Sequence, residues 1–180
     1  MKLFPSGLNN QYSGSKIALY GLYPIFAIYI FRSLVHFLAE NSGLVGIATI
    51  KEFPINEGLD PNTVIYLFAS LWGATQVSLT VILLILFLKY KNFIPLIYLI
   101  CLLDQCFRLI SGYLHPLSED YYINTPPGVI SNIPILLYLM FMFYLSSRGN
   151  AKHDWFLFFI QKPLFISNSS KNAKAKEWTW

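Results

Sequence analysis

Asp104-Gln105-Cys106-Phe107-Arg108-Leu109-Ile110-Ser111-Gly112-Tyr113-Leu114-His115 closes an apolar run that begins at Phe93. The run from Phe93 to Leu114 is long enough to cross a bilayer, for which about 20 apolar residues suffice. Inside it stand an acid and a base, with a histidine at its end. Charges within hydrocarbon are expensive, so these need partners or a task. A sister stretch, Phe31-Arg32-Ser33-Leu34-Val35-His36-Phe37-Leu38, lies in the first apolar run of the chain.

Composition extends the reading to the whole chain. Of 180 residues 55% are hydrophobic and 12% charged, about half the charged fraction of a soluble domain. The apolar residues gather into four long blocks rather than spreading at amphipathic spacing. The 15 Phe, 12 Tyr and 4 Trp suit lipid contact and interfacial belts. The expected fold is therefore all-α: an integral membrane four-helix bundle, with membrane lipid as its first partner. The pI near 9.0 is read as topology and not as nucleic-acid binding. Cys101 and Cys106 would point about 140° apart on a helix, so they read as packing residues and not as a redox or zinc pair.

Residues 1–16 form a polar tail. The spans are expected at about 17–39, 63–88, 93–114 and 126–147. The first is too long for a signal peptide, carries Arg32, and has no small-residue cleavage site after it; Pro24 is a candidate kink. Residues 40–62 make a loop in which Leu44–Phe53 is apolar enough for the interface. Asp60-Pro61-Asn62-Thr63 reads as a helix start. Ala69, Gly73, Gln76 and Thr80 then share one face, the small-residue stripe by which membrane helices approach closely. Lys89-Tyr90-Lys91-Asn92 is a tight turn that makes helices two and three antiparallel neighbours. Residues 148–180 are a basic tail, with a short aromatic segment at 155–166 that would lie in the interface and a glycosylation-type triplet at Asn168-Ser169-Ser170.

Lys2, Lys16, Lys89, Lys91, Arg148 and the tail lysines all fall on one side of this layout, against Lys51 alone on the other. Glu40, Glu52, Glu57, Asp60, Glu119 and Asp120 fall with Lys51. The positive-inside rule places both termini in the cytoplasm, in the plasma (inner) membrane.

On this layout Arg32 and Arg108 lie about 6–7 Å outward of the bilayer centre. Asn132 comes at a similar depth, and Asp104 and Gln76 fall near the middle. Side chains lean toward a helix's N-terminus. For both arginines that is inward, away from the nearer surface. An Asp104–Arg108 pair is expected, with Arg32 as a candidate third member. Two arginines against one aspartate leave an excess positive charge, which favours an anion or polar head group. His36 with Glu40, and His115, continue the two arginine stripes toward the outer surface as a polar lane. Arg32, His36, Gln76, Asp104, Arg108, His115 and Asn132 are thus the candidate ligand-binding residues. The same cluster read as structural glue predicts full internal pairing.

No HExxH, GxSxG, P-loop or dinucleotide turn is present. Neither a cofactor nor enzymatic activity is expected. Haem b ligated by His36 and His115 is the only cofactor geometry the sequence offers, and Asp104 with His36 the only catalytic one. Two functions follow from the polar cluster: a module that binds or moves a small polar or anionic molecule, or a non-catalytic subunit or assembly factor of a membrane redox complex. A membrane-protein partner or a homo-oligomer fits either.

Phe31-Arg32 and Phe107-Arg108, with the residues after each, echo one another on two outward-running helices. The echo raises the expectation of two repeated helical hairpins. Four spans, an arginine in the outer half of helix one, and Arg108-Leu109-Ile110-Ser111-Gly112-Tyr113-Leu114-His115-Pro116 together resemble the DoxX-like small four-helix membrane proteins. Helix one departs from that group by closing on His36-Phe37-Leu38-Ala39-Glu40 instead of a Gly-rich, Lys-ending segment. The resemblance implies association with redox or membrane-stress systems and carries no catalytic residue with it.

Overall fold

The computed structural model describes residues 7, 8, 10–55 and 57–148. The segment 155–166 and the Asn168 triplet lie outside the described residues.

Four helices carry the chain: α1 Lys16–Leu38, α2 Pro61–Lys89, α3 Ile94–Leu114 and α4 Pro127–Ser147. Single 3-10 turns at Lys91–Phe93 and Glu119–Tyr121 lead into α3 and into the last loop. All four helices are long and apolar enough to cross a membrane. Phe68, Phe107 and Ile130 are about two-thirds exposed, as side chains facing lipid are. The chain has the build of a multi-pass membrane protein.

Each start has a local cause. Ser15 accepts from the Ile17 amide at 3.2 Å and caps α1. Asp60 accepts from the Asn62 amide at 2.9 Å, with Pro61 filling a first-turn position whose amide needs no partner. Proline also sits in the first turn of α3 and of α4. The start of α2 thus falls within the expected Asp60–Thr63 segment, with Asp60 as the cap and the helix beginning two residues before the expected span.

The largest packing surfaces are α1 on α2 and α3 on α4, followed by α1 on α4; α2 and α3 share less despite the tight turn between them. The bundle is therefore assembled from two antiparallel hairpins.

The apolar core fills only one half of its length. Ala18, Leu22, Ile25 and Phe26 of α1 meet Leu83 and Phe87 of α2, Ile97, Tyr98 and Cys101 of α3, and Leu139 and Met142 of α4. These positions lie toward the α2–α3 turn. Two tyrosines lock this half by donating to carbonyls of α1: Tyr98 to Ala18 O at 2.7 Å and Tyr138 to Gly21 O at 2.8 Å. Pro24, inside α1, has no amide to donate to Tyr20 O, the carbonyl one residue before Gly21. Tyr138 donates to Gly21 O from another helix, beside this break in the ladder.

At the opposite end, the α1–α2 and α3–α4 loops are tied together. Lys51 donates to Tyr121 O at 2.9 Å and Ile123 to Thr49 O at 2.7 Å, flanking an antiparallel bridge of Ile50 with Tyr122. Asn62, buried at the start of α2, grips the Phe53 backbone in both directions at 2.8 Å. The sequence reading has Leu44–Phe53 at an interface; the structure pairs part of that segment with the partner loop.

Candidate functional site

The polar cluster occupies the half of the bundle that the apolar core leaves free. Its position depends on one close approach. A Cβ on Gly73 would lie 2.5 Å from the His36 carbonyl carbon and 2.6 Å from the Phe37 nitrogen. Only glycine lets α2 touch the α1 backbone here, as in other small-residue contacts between membrane helices. Gly73 belongs to a buried seam of Gly73, Gln76, Thr80, Leu83 and Phe87, spaced alternately by three and four residues. The expected stripe is therefore real over Gly73, Gln76 and Thr80, with Ala69 half-buried at its edge.

Across this seam Arg32 donates through Nη2 to Gln76 Oε1 at 3.0 Å. On α3, Arg108 Nη2 lies 2.8 Å from Asp104 Oδ2, the expected i,i+4 pair and the only ion pair among the described residues. The second partner of that carboxylate is not Arg32 but Tyr29, whose hydroxyl donates to Oδ2 at 2.8 Å. Tyr29 connects α1 to α3 across the bundle.

The two guanidiniums nevertheless meet at one place. Arg32 Cζ lies 5.5 Å and Arg108 Cζ 5.4 Å from the centre of the Trp72 ring, within cation–π range. The His36 ring lies 4.7 Å from the same indole, centre to centre. Trp72 is 42% exposed on the flank of the bundle. Arg32 and Arg108 each stand about 9 Å along the axis from the ends of their helices, Leu38 and Leu114.

The partner accounting is uneven. Asp104 is engaged by two donors. Arg32 has a neutral amide oxygen and no carboxylate within salt-bridge distance among the described residues. Arg108 Nε is buried without a hydrogen-bond partner among the described residues. The cluster holds two cations and one anion, and at least one of its buried donors is unused.

The remaining sequence-predicted residues go elsewhere. His36 is buried and its Nδ1 stands 2.7 Å from Ser42 O, so it ties α1 to the loop after it instead of opening a lane. Glu40 and His115 are exposed near the helix ends. Asn132 pairs with Gln105, whose Nε2 donates to Asn132 Oδ1 at 3.0 Å and to its carbonyl at 3.2 Å. That contact fastens α3 to α4. No group of three or more His, Cys, Asp or Glu side chains able to hold a metal ion occurs among the described residues.

Sequence reasoning missed Tyr29, Trp72 and Gln105. The signal for two of them was periodic. Tyr29 precedes Arg32 by three residues on the buried face of α1, and Trp72 precedes Gln76 by four on α2, so each shares a helix face with a residue already singled out.

No family model, curated protein or solved structure matches this chain.

Proposed function

We propose that this protein is a plasma-membrane protein with both termini in the cytoplasm, which binds a small polar or anionic molecule between Arg32 and Arg108. One observation carries the reading: Arg32, inside a membrane-length helix, faces a neutral oxygen while the nearby carboxylate is held by Arg108 and Tyr29. A cluster serving only as glue would spend its single acid on both bases, because an uncompensated charge at low dielectric is costly. An anion held against the shared indole would complete the charge balance and meet the unused Arg108 donor. Kinship with the DoxX-like proteins is part of this proposal, resting on the four spans and the Arg108–Pro116 run, and it adds no residue to the site.

The test uses Arg32→Gln, which leaves the Asp104–Arg108 pair intact. The variant should keep wild-type abundance and lose no more than about 0.6 kcal/mol of stability in detergent, the worth of one interhelical hydrogen bond. It should lose the response of Trp72 emission to an anion, whether soluble or borne by a lipid, read with the other tryptophans changed to phenylalanine. A variant of low abundance that also sheds a co-purifying protein would overturn the binding reading in favour of a non-catalytic subunit of a membrane complex.

A further inference from the structure

Resting on that reading, we propose that the anion is borne by a lipid: a phosphate-bearing acidic head group, reached sideways from the bilayer and seated on Arg32, Arg108 and Trp72.

The surroundings of the arginines differ in charge between the watery end of the bundle and its flank. The watery end is at the joined ends of α1 and α2. There an open cleft of about 460 Å³ is bordered by Glu40, Asp60, Tyr66 and Ser70. Glu52 stands beside it, accepting from the Tyr66 hydroxyl at 2.7 Å. A free anion arriving this way meets carboxylates first, and the repulsion lowers its local concentration.

The flank is apolar beside the cations. Trp72 is the plate on which both guanidiniums rest, and its 42% exposure is on the side of the bundle. The neighbours in sequence of the two arginines, Phe31 and Phe107, are 62% and 65% exposed, as acyl-chain contacts are. Between the two sides, the flank is the one that offers attraction without repulsion.

Depth is consistent with a lipid. Arg32 and Arg108 lie about 9 Å inside their helix ends, below the usual level of phosphate. An arginine at that depth thins the bilayer locally and draws head groups inward instead of remaining bare. The planar guanidinium offers parallel donors that match two phosphate oxygens. The neutral amide of Gln76 holds Arg32 in place without neutralising it.

The experiment keeps the full chain, with Trp155, Trp178 and Trp180 changed to phenylalanine so that Trp72 is the sole tryptophan. The protein is placed in vesicles of phosphatidylcholine with increasing fractions of chain-brominated phosphatidylglycerol or chain-brominated phosphatidylcholine. Bromine quenches only an indole it touches. Trp72 should prefer the acidic lipid by about five-fold, as for one exposed arginine near a charged lipid. The preference should fall to about one in Arg32→Gln, where a single net charge is lost. Inorganic phosphate and glycerol phosphate added to phosphatidylcholine vesicles should leave the emission unchanged. Equal quenching by both lipids together with a response to the soluble phosphates would overturn the lipid assignment and leave the anion site standing. Equal quenching with no response to any anion would overturn both. A preference that survives unchanged in Arg32→Gln would place the acidic lipid elsewhere and also overturn the proposal.

Discussion

Replacing Gly73 by alanine should separate the two helices on which the polar cluster depends. The added methyl carbon would lie 2.5, 2.6 and 2.8 Å from the His36 carbonyl carbon, the Phe37 nitrogen and the His36 oxygen. All three are backbone atoms of α1, so no side chain can swing away. Ordinary carbon contacts lie at about 3.5–4.0 Å, and α2 must therefore retreat by about 1 Å. Overpacking of this kind costs about 1–3 kcal/mol. The same retreat stretches the 3.0 Å Arg32–Gln76 bond past hydrogen-bond length, which adds about 0.6 kcal/mol for an interhelical bond in a membrane. The expected loss is about 2–4 kcal/mol, visible as a lower melting temperature in detergent and a changed Trp72 emission. Gly112→Ala in α3 is the control. Nothing stands within 4 Å of its added carbon, and relief of glycine's helix penalty should stabilise by up to about 1 kcal/mol. Equal melting temperatures for Gly73→Ala and the wild type would refute the close approach.

Asp104→Asn should move stability and binding in opposite directions. It removes the anion that Arg108 and Tyr29 share, which should destabilise by about 1–3 kcal/mol for this partly exposed pair, while the added net charge should strengthen the preference of Trp72 for acidic lipid in the bromolipid assay. Tyr138→Phe should lower the melting temperature, by about 0.6–1.7 kcal/mol of interhelical hydrogen bonding, because the bond that ties α4 to Gly21 O of α1 is lost.

The fold was legible because hydrophobic length is a one-dimensional signal. Four apolar runs, a proline after a capping aspartate and a turn of two lysines suffice to lay out α1–α4. The Asp104–Arg108 pair was legible for the same reason: it is an i,i+4 contact within one helix, set by helical geometry alone. Contacts between helices were not. Whether Arg32 or Tyr29 takes the second place on Asp104 depends on how α1 is rotated against α3, and no spacing within either helix encodes that angle. The pairing of Ile50 with Tyr122 joins two loops through backbone groups, which leave little trace in side-chain composition. The echo of Phe31-Arg32 in Phe107-Arg108 stays an expectation. The two arginines meet one indole at nearly equal distances, yet one is paired with an acid and the other with an amide.

That difference links the architecture to the proposed chemistry. The half of the bundle toward the α2–α3 turn is closed by apolar packing and by two tyrosine bonds to α1, and it needs nothing from the polar cluster to hold its helices together. The other half is held by the Gly73 contact, the Arg32–Gln76, Tyr29–Asp104 and Gln105–Asn132 bonds and the tied loops. With Asp104 neutralising Arg108, the bond of Arg32 to Gln76 is one that a neutral donor could also make, and its charge is surplus to the fastening. A half-buried charge that the packing does not require, kept against a neutral oxygen beside an exposed indole, is costly to the fold. Binding an anion from the lipid side is the use that offsets that cost.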